Sequence, residues 1–69
     1  MIIVENKLGG LFDYTVAGER EAEAAEDLER ELDFMAHDGH RSGAELLTDL
    51  ATARKDIERK YGVTIATTV

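Results

Sequence analysis

The spacing of apolar residues along the chain switches from two to three-and-four and back to two, and each switch marks an element. Ile2, Ile3 and Val4 are consecutive β-branched residues and predict a strand over 1–6. In Lys7-Leu8-Gly9-Gly10 the glycine pair can take positive φ and turn the chain. Phe12, Tyr14 and Val16 then alternate with Leu11, Asp13 and Thr15. That period of two predicts a half-buried strand over 11–17, with Phe12, Tyr14 and Val16 on its core face. Two strands about a glycine-containing connection make a β-hairpin.

After Gly18 the period becomes helical. Ala25, Leu28, Leu32 and Met35 form one apolar stripe of a helix over 19–37, with Ala22 and Ala36 at its margin. His37 to Arg41 breaks this helix, and Gly39 suits the residue just past its end. Ser42 and Glu45 have capping-box spacing and open a second helix over 43–61. Its stripe is Leu46, Leu47, Leu50, Ile57 and Tyr61, with Arg54 on the same face, and Gly62 ends it. Residues 63–68 are rich in Val, Ile and Thr and predict a last strand.

The order ββααβ predicts an α+β fold in a single domain, 1–69. An antiparallel helix hairpin packs on one face of a small, three-stranded, mainly antiparallel sheet. The strand carrying Phe12, Tyr14 and Val16 takes the centre, because antiparallel pairs are commoner than parallel ones. The alternative sets the third strand beside the first.

Charge adds what periodicity does not. The chain carries −7, and the segment Glu19–Asp38 alone holds nine acids against Arg20 and Arg30, so the whole excess sits on that segment. The acids on its polar face, Glu19, Glu23, Glu26 and Asp27, together with Glu31, form the candidate binding surface. Like charges at i,i+4, such as Glu23 with Asp27 and Asp27 with Glu31, each cost a few tenths of a kcal/mol. A helix needing only solubility would mix its signs, whereas nine acids over about 30 Å approach the linear charge density of one nucleic-acid strand. An acidic chain of this kind does not bind nucleic acid directly; its complement is a basic protein, above all one that binds nucleic acid. Phe34 lies off the stripe among these carboxylates. It is either an aromatic anchor for a partner or a residue folded under the loop into the core.

Several classes are set aside. The chain has no cysteine, hence neither disulfides nor thiolate ligands, and its two histidines with Asp38 in the loop lack a defined third metal ligand. His37, Asp38, His40 and Ser42 read as turn and capping residues, so no enzyme, metal or cofactor is expected. No apolar run approaches the length of a membrane span and no export signal is visible, which points to the cytoplasm. Arg54 is expected to lay its stem over the core and pair with Glu21, Glu29 or Asp33. A chain of 69 residues has a thin stability margin, which keeps a homodimer in view as a structural, assembly or antitoxin-like module.

A small, cysteine-free, acidic chain with a dense carboxylate helix resembles the phage-encoded anti-defence proteins, anti-CRISPR proteins among them. The resemblance is one of kind, in composition and in the 19–38 helix, and carries no residue motif. It implies a stoichiometric inhibitor acting in the host-cell cytoplasm, whose carboxylates occupy the Lys/Arg channel where nucleic acid would bind.

Overall fold

A computed structural model describes residues 1–10, 12–37 and 42–68. Its elements run β1 (Ile2–Val4), β2 (Tyr14–Gly18), α1 (Glu21–His37), α2 (Gly43–Tyr61) and β3 (Val63–Thr67), an α+β fold in the order ββααβ. The sheet order is β1-β2-β3, with β2 central and antiparallel to both neighbours. Val16 stands opposite Ile2 on one side and Ile65 on the other. Side chains alternate across the pleat. Val4, Tyr14, Val16, Val63 and Ile65 therefore share the face that α1 and α2 cover, while Ile3, Thr64 and Ala66 stay exposed.

The core joins that sheet face to Ala24, Ala25, Leu28, Leu32 and Met35 of α1 and to Leu50 and Ile57 of α2. Leu28 and Leu32 are fully enclosed, and at roughly 25 cal/mol per Å² of apolar surface each stabilises the fold by about 2 kcal/mol. Ala24, which the predicted stripe omits, is also fully buried. It sits about 20° from Met35 around the helix, at the margin of the stripe opposite Ala25. On α2 the stripe narrows at its start: Leu47 is 71% exposed, so Leu50 and Ile57 join the core without it. Leu47 lies at the margin of the stripe, on the flank turned away from α1.

The hairpin differs from expectation in one respect. β1 stops at Val4 and β2 starts only at Tyr14, so Phe12 lies outside the strand and is 38% exposed instead of facing the core. Asn6 explains the long connection. Its backbone N–H donates to Asp13 Oδ1 (3.1 Å), its side-chain amide donates to the Phe12 carbonyl (3.2 Å), and its Oδ1 accepts from the Leu8 N–H (3.1 Å). An asparagine that satisfies the loop's backbone competes with continued strand pairing.

Helix ends follow their chemistry. Ser42 Oγ accepts from the Glu45 N–H (3.2 Å), the predicted N-cap, and Gly62 closes α2 at φ 64°. α1 begins at Glu21, two residues later than predicted, leaving Glu19 and Arg20 in the preceding turn. Gly39, expected to end α1, lies outside the described residues, as do Asp38 and His40 of the candidate histidine loop. His37 is described, and its Nδ1 lies 2.7 Å from the Asp33 carbonyl one turn back.

Candidate protein-binding surface

α1 meets the rest of the fold along two flanks, and its acids divide between them. On the flank over the hairpin, Lys7 Nζ donates to Asp33 Oδ1 at 2.7 Å and reaches Glu29 Oε1 at 3.5 Å. The Asp33 hydrogen bond, with the charges of Asp33 and Glu29, raises the Lys7 ammonium above its ordinary pKa. Glu21 pairs with the amine of Met1 at 2.7 Å. These carboxylates are locally matched.

The other flank faces outward and toward α2, and the predicted site residues lie there, with Glu19 in the turn just before the helix. Glu26 is exposed and Glu31 half-buried. Among the described residues, Glu19, Glu26 and Glu31 have no side-chain ion pair or hydrogen bond. Glu23 accepts from the Arg20 guanidinium three residues earlier, and that hydrogen bond holds its carboxyl below the ordinary value of 4.5. Phe34 is 63% exposed, which removes the reading that folds it into the core.

Asp27 differs from its neighbours. Its Oδ2 accepts from the Tyr61 hydroxyl at 2.8 Å, Lys60 Nζ lies at 3.9 Å and Arg30 at 4.0 Å, and its side chain is only 20% exposed. Tyr61 in turn has the Arg20 guanidinium 4.8 Å from its ring centroid and the Lys60 ammonium at 5.1 Å. Asp27 thus fastens the start of α1 to the end of α2. Expected on the outward surface, Asp27 has a fold-holding job as well.

Sequence reasoning missed the α2 half of this surface. A groove of about 510 Å³ runs between the helices, lined by Asp27, Glu31 and Phe34 of α1 and by Asp49, Asp56 and Lys60 of α2 among others. Among the described residues the lining holds four carboxylates and one ammonium, and Asp49 has an interaction of its own. The available signal was helical phase: Asp49, Asp56 and Lys60 fall within about 40° of one another around α2. The cations Lys55 and Arg59 are not among the residues that line the groove. Along the chain α2 mixes its signs, yet in space Asp49 and Asp56 lie on the α1 side while Glu58 turns to Ile65 of β3.

Arg54 goes elsewhere than expected. Its guanidinium donates to the Ile65 carbonyl (3.0 Å) and lies 5.4 Å from the Tyr14 ring centroid, so it serves the sheet and pairs with none of Glu21, Glu29 or Asp33. A second, mostly apolar groove of about 390 Å³ lies at the hairpin end, between Leu8, Phe12 and Tyr14 and the first turns of α2, where Leu46 and Leu47 line it. Among the described residues no helix is long and apolar enough to cross a membrane, and no group of three or more His, Asp or Glu side chains is arranged to hold a metal. No protein-family model, curated protein or solved structure matches this chain.

Proposed function

We propose that the chain is a non-enzymatic binding protein whose acidic α1 face, continued across the inter-helix groove onto α2, occupies a basic nucleic-acid-binding surface of a partner protein. The observation that carries this reading is the groove itself, whose described lining sets Asp27, Glu31 and Asp56 with Lys60 beside the exposed Phe34, next to Glu26 on the outward face of α1 and Glu19 in the turn before it. Charge of one sign over a concave strip steers a basic partner and sets its register, and an aromatic at the rim adds desolvated contact area. On this reading the protein acts as a nucleic-acid mimic in the manner of the small anti-defence inhibitors of phages, anti-CRISPR proteins among them, at one copy per target.

The test is affinity capture from a bacterial host lysate at low and high salt, followed by elution with a competing oligonucleotide. The reading expects a nucleic-acid-binding protein that is retained at low salt, released by salt and displaced by the oligonucleotide. Retention that the oligonucleotide leaves untouched refutes the mimicry. A variant reversing Glu23, Glu26 and Glu31 to lysine should lose retention while keeping its far-UV spectrum. Asp27 stays in place because it holds Tyr61.

A second reading, a homodimeric assembly module or antitoxin-like partner, draws on the apolar groove at the hairpin end with Leu47 and Phe12 exposed in it. It expects the apparent mass and the unfolding midpoint to rise with protein concentration. A monomer throughout, with an unchanged midpoint, rules out the self-assembling form.

A further inference from the structure

β3 is an edge strand, and an edge strand offers a row of unpaired backbone groups to any other strand. In an antiparallel ladder these groups point alternately toward the neighbour and away from it. The Thr68 N–H donates to the Asp13 carbonyl at 2.9 Å, so positions 64, 66 and 68 face β2 while Ile65 and Thr67 turn their N–H and C=O groups to the open side. At Ile65, the middle residue of the strand, both outward groups are taken. The Arg54 guanidinium donates to the Ile65 carbonyl at 3.0 Å, and the Ile65 N–H donates to Glu58 Oε2 at 3.0 Å.

Arg54 and Glu58 are one helical turn apart on α2 and reach the same residue from the same side. One brings a donor and the other an acceptor. That is the complement a residue of a fourth strand would bring in a closely spaced ladder pair. The need for it is legible in β3 itself, whose Val-Thr-Ile-Ala-Thr has neither a charge nor a proline to discourage pairing. β1, at the opposite edge, has only three residues and less to offer a partner.

We infer that Arg54 and Glu58 form a clasp that closes the β3 edge against the β3 of a second copy. A two-fold axis through Ile65 would pair that residue with its own counterpart and join two sheets into one of six strands. With the clasp shut, neither outward group of Ile65 is available for that pairing. The inference is independent of what the acidic groove binds.

Two measurements test it. In the unaltered protein, amide exchange followed by NMR should be at least ~10-fold slower at Ile65 than at Thr67, which belongs to the same outward-facing set. Equal rates would mean that there is no clasp. In the full chain carrying Arg54→Met and Glu58→Met, both stems remain over the sheet but the hydrogen-bonding groups are gone. Sedimentation should then show the mass doubling between about 10 μM and about 1 mM, while Glu58→Gln, whose amide oxygen still accepts, stays monomeric. A folded double variant that remains monomeric over that range overturns the inference. Should the double variant not fold, Arg54→Met alone opens the carbonyl side and must associate more than the parent.

Discussion

The bond between Asp27 and Tyr61 ties α1 to α2 at the edge of the acidic surface, and it can be weighed directly. The hydroxyl-to-carboxylate distance of 2.8 Å is normal for a strong O–H···O bond, and the acceptor is charged and only 20% exposed. Hydrogen bonds to charged groups contribute about 1.5–3 kcal/mol net, and partial solvent access at Asp27 lowers this to about 1–2 kcal/mol. A chain of this size is stable by roughly 3–10 kcal/mol, so the bond is a sizeable share. The perturbation is a double-mutant cycle of Asp27→Ala and Tyr61→Phe, read by urea unfolding. The gain in helix propensity at position 27 appears on both sides of the cycle and cancels. A coupling of about 1–2 kcal/mol is expected, with Tyr61→Phe alone lowering Tm by roughly 4–8 °C per kcal/mol lost. A coupling under about 0.3 kcal/mol would refute the reasoning and leave Asp27 with only the more distant Lys60 and Arg30 as partners.

Other perturbations probe the frame that carries the surface. Leu32→Ala removes a fully buried side chain and should cost about 2–5 kcal/mol in urea unfolding, enough to bring the chain close to its stability limit. Gly18 takes φ 149°, and a Cβ there would lie 2.9 Å from the Gly62 carbonyl oxygen, so Gly18→Ala should cost at least ~2 kcal/mol and displace the start of β3. Ser42→Ala removes the N-cap of α2 and should lower stability by about 1 kcal/mol without changing the fold. Glu23 titrates below 4.5 because Arg20 donates to it, and its folded pKa is the depressed one. The pair's small contribution is therefore present above the unfolded value and lost as pH falls through the folded one; Arg20→Gln should return the Glu23 titration, followed by carboxyl NMR, to the ordinary range.

What was legible before the structure follows from which physical signals are local. Both helices and the order ββααβ came from apolar period and turn residues, because a period of two or 3.6 is imposed by the backbone itself, and the central place of β2 came from the preference for antiparallel pairs. Phe12 was misplaced because Asn6 organises the connection through side-chain hydrogen bonds that no period records. Ala24, Leu47 and Arg54 lie at the limit of a helical wheel's angular resolution. Small residues give little indication of where a stripe is centred, and a cation on a stripe does not say which neighbour it will reach. The acidic α1 face was visible as charge. Its continuation onto Asp49 and Asp56 was not, since that depends on which flank of α2 turns toward α1.

On the proposed function, that continuation is what distinguishes a binding surface from a merely soluble helix. Were the excess charge present only to keep the chain in solution, α2 would have no reason to aim Asp49 and Asp56 into the groove while Lys55 and Arg59 stay out of it. Lys60 stands on the same wall beside Asp27, and Asp49 has an interaction of its own, so the charge left for a basic partner to match is that of Glu31 and Asp56. On α1 alone, the flank over the hairpin is matched by Lys7, so little of its charge is free to reach a partner. The consequence is testable wall by wall. Glu31→Lys and Asp56→Lys, on opposite sides of the groove, should each weaken capture of a nucleic-acid-binding partner by a similar factor, roughly 5–30-fold for a loss of about 1–2 kcal/mol. The two together should also flatten the dependence of capture on salt. If only the α1 substitution matters, the partner contacts a single helix, and the groove between the helices is a by-product of their packing.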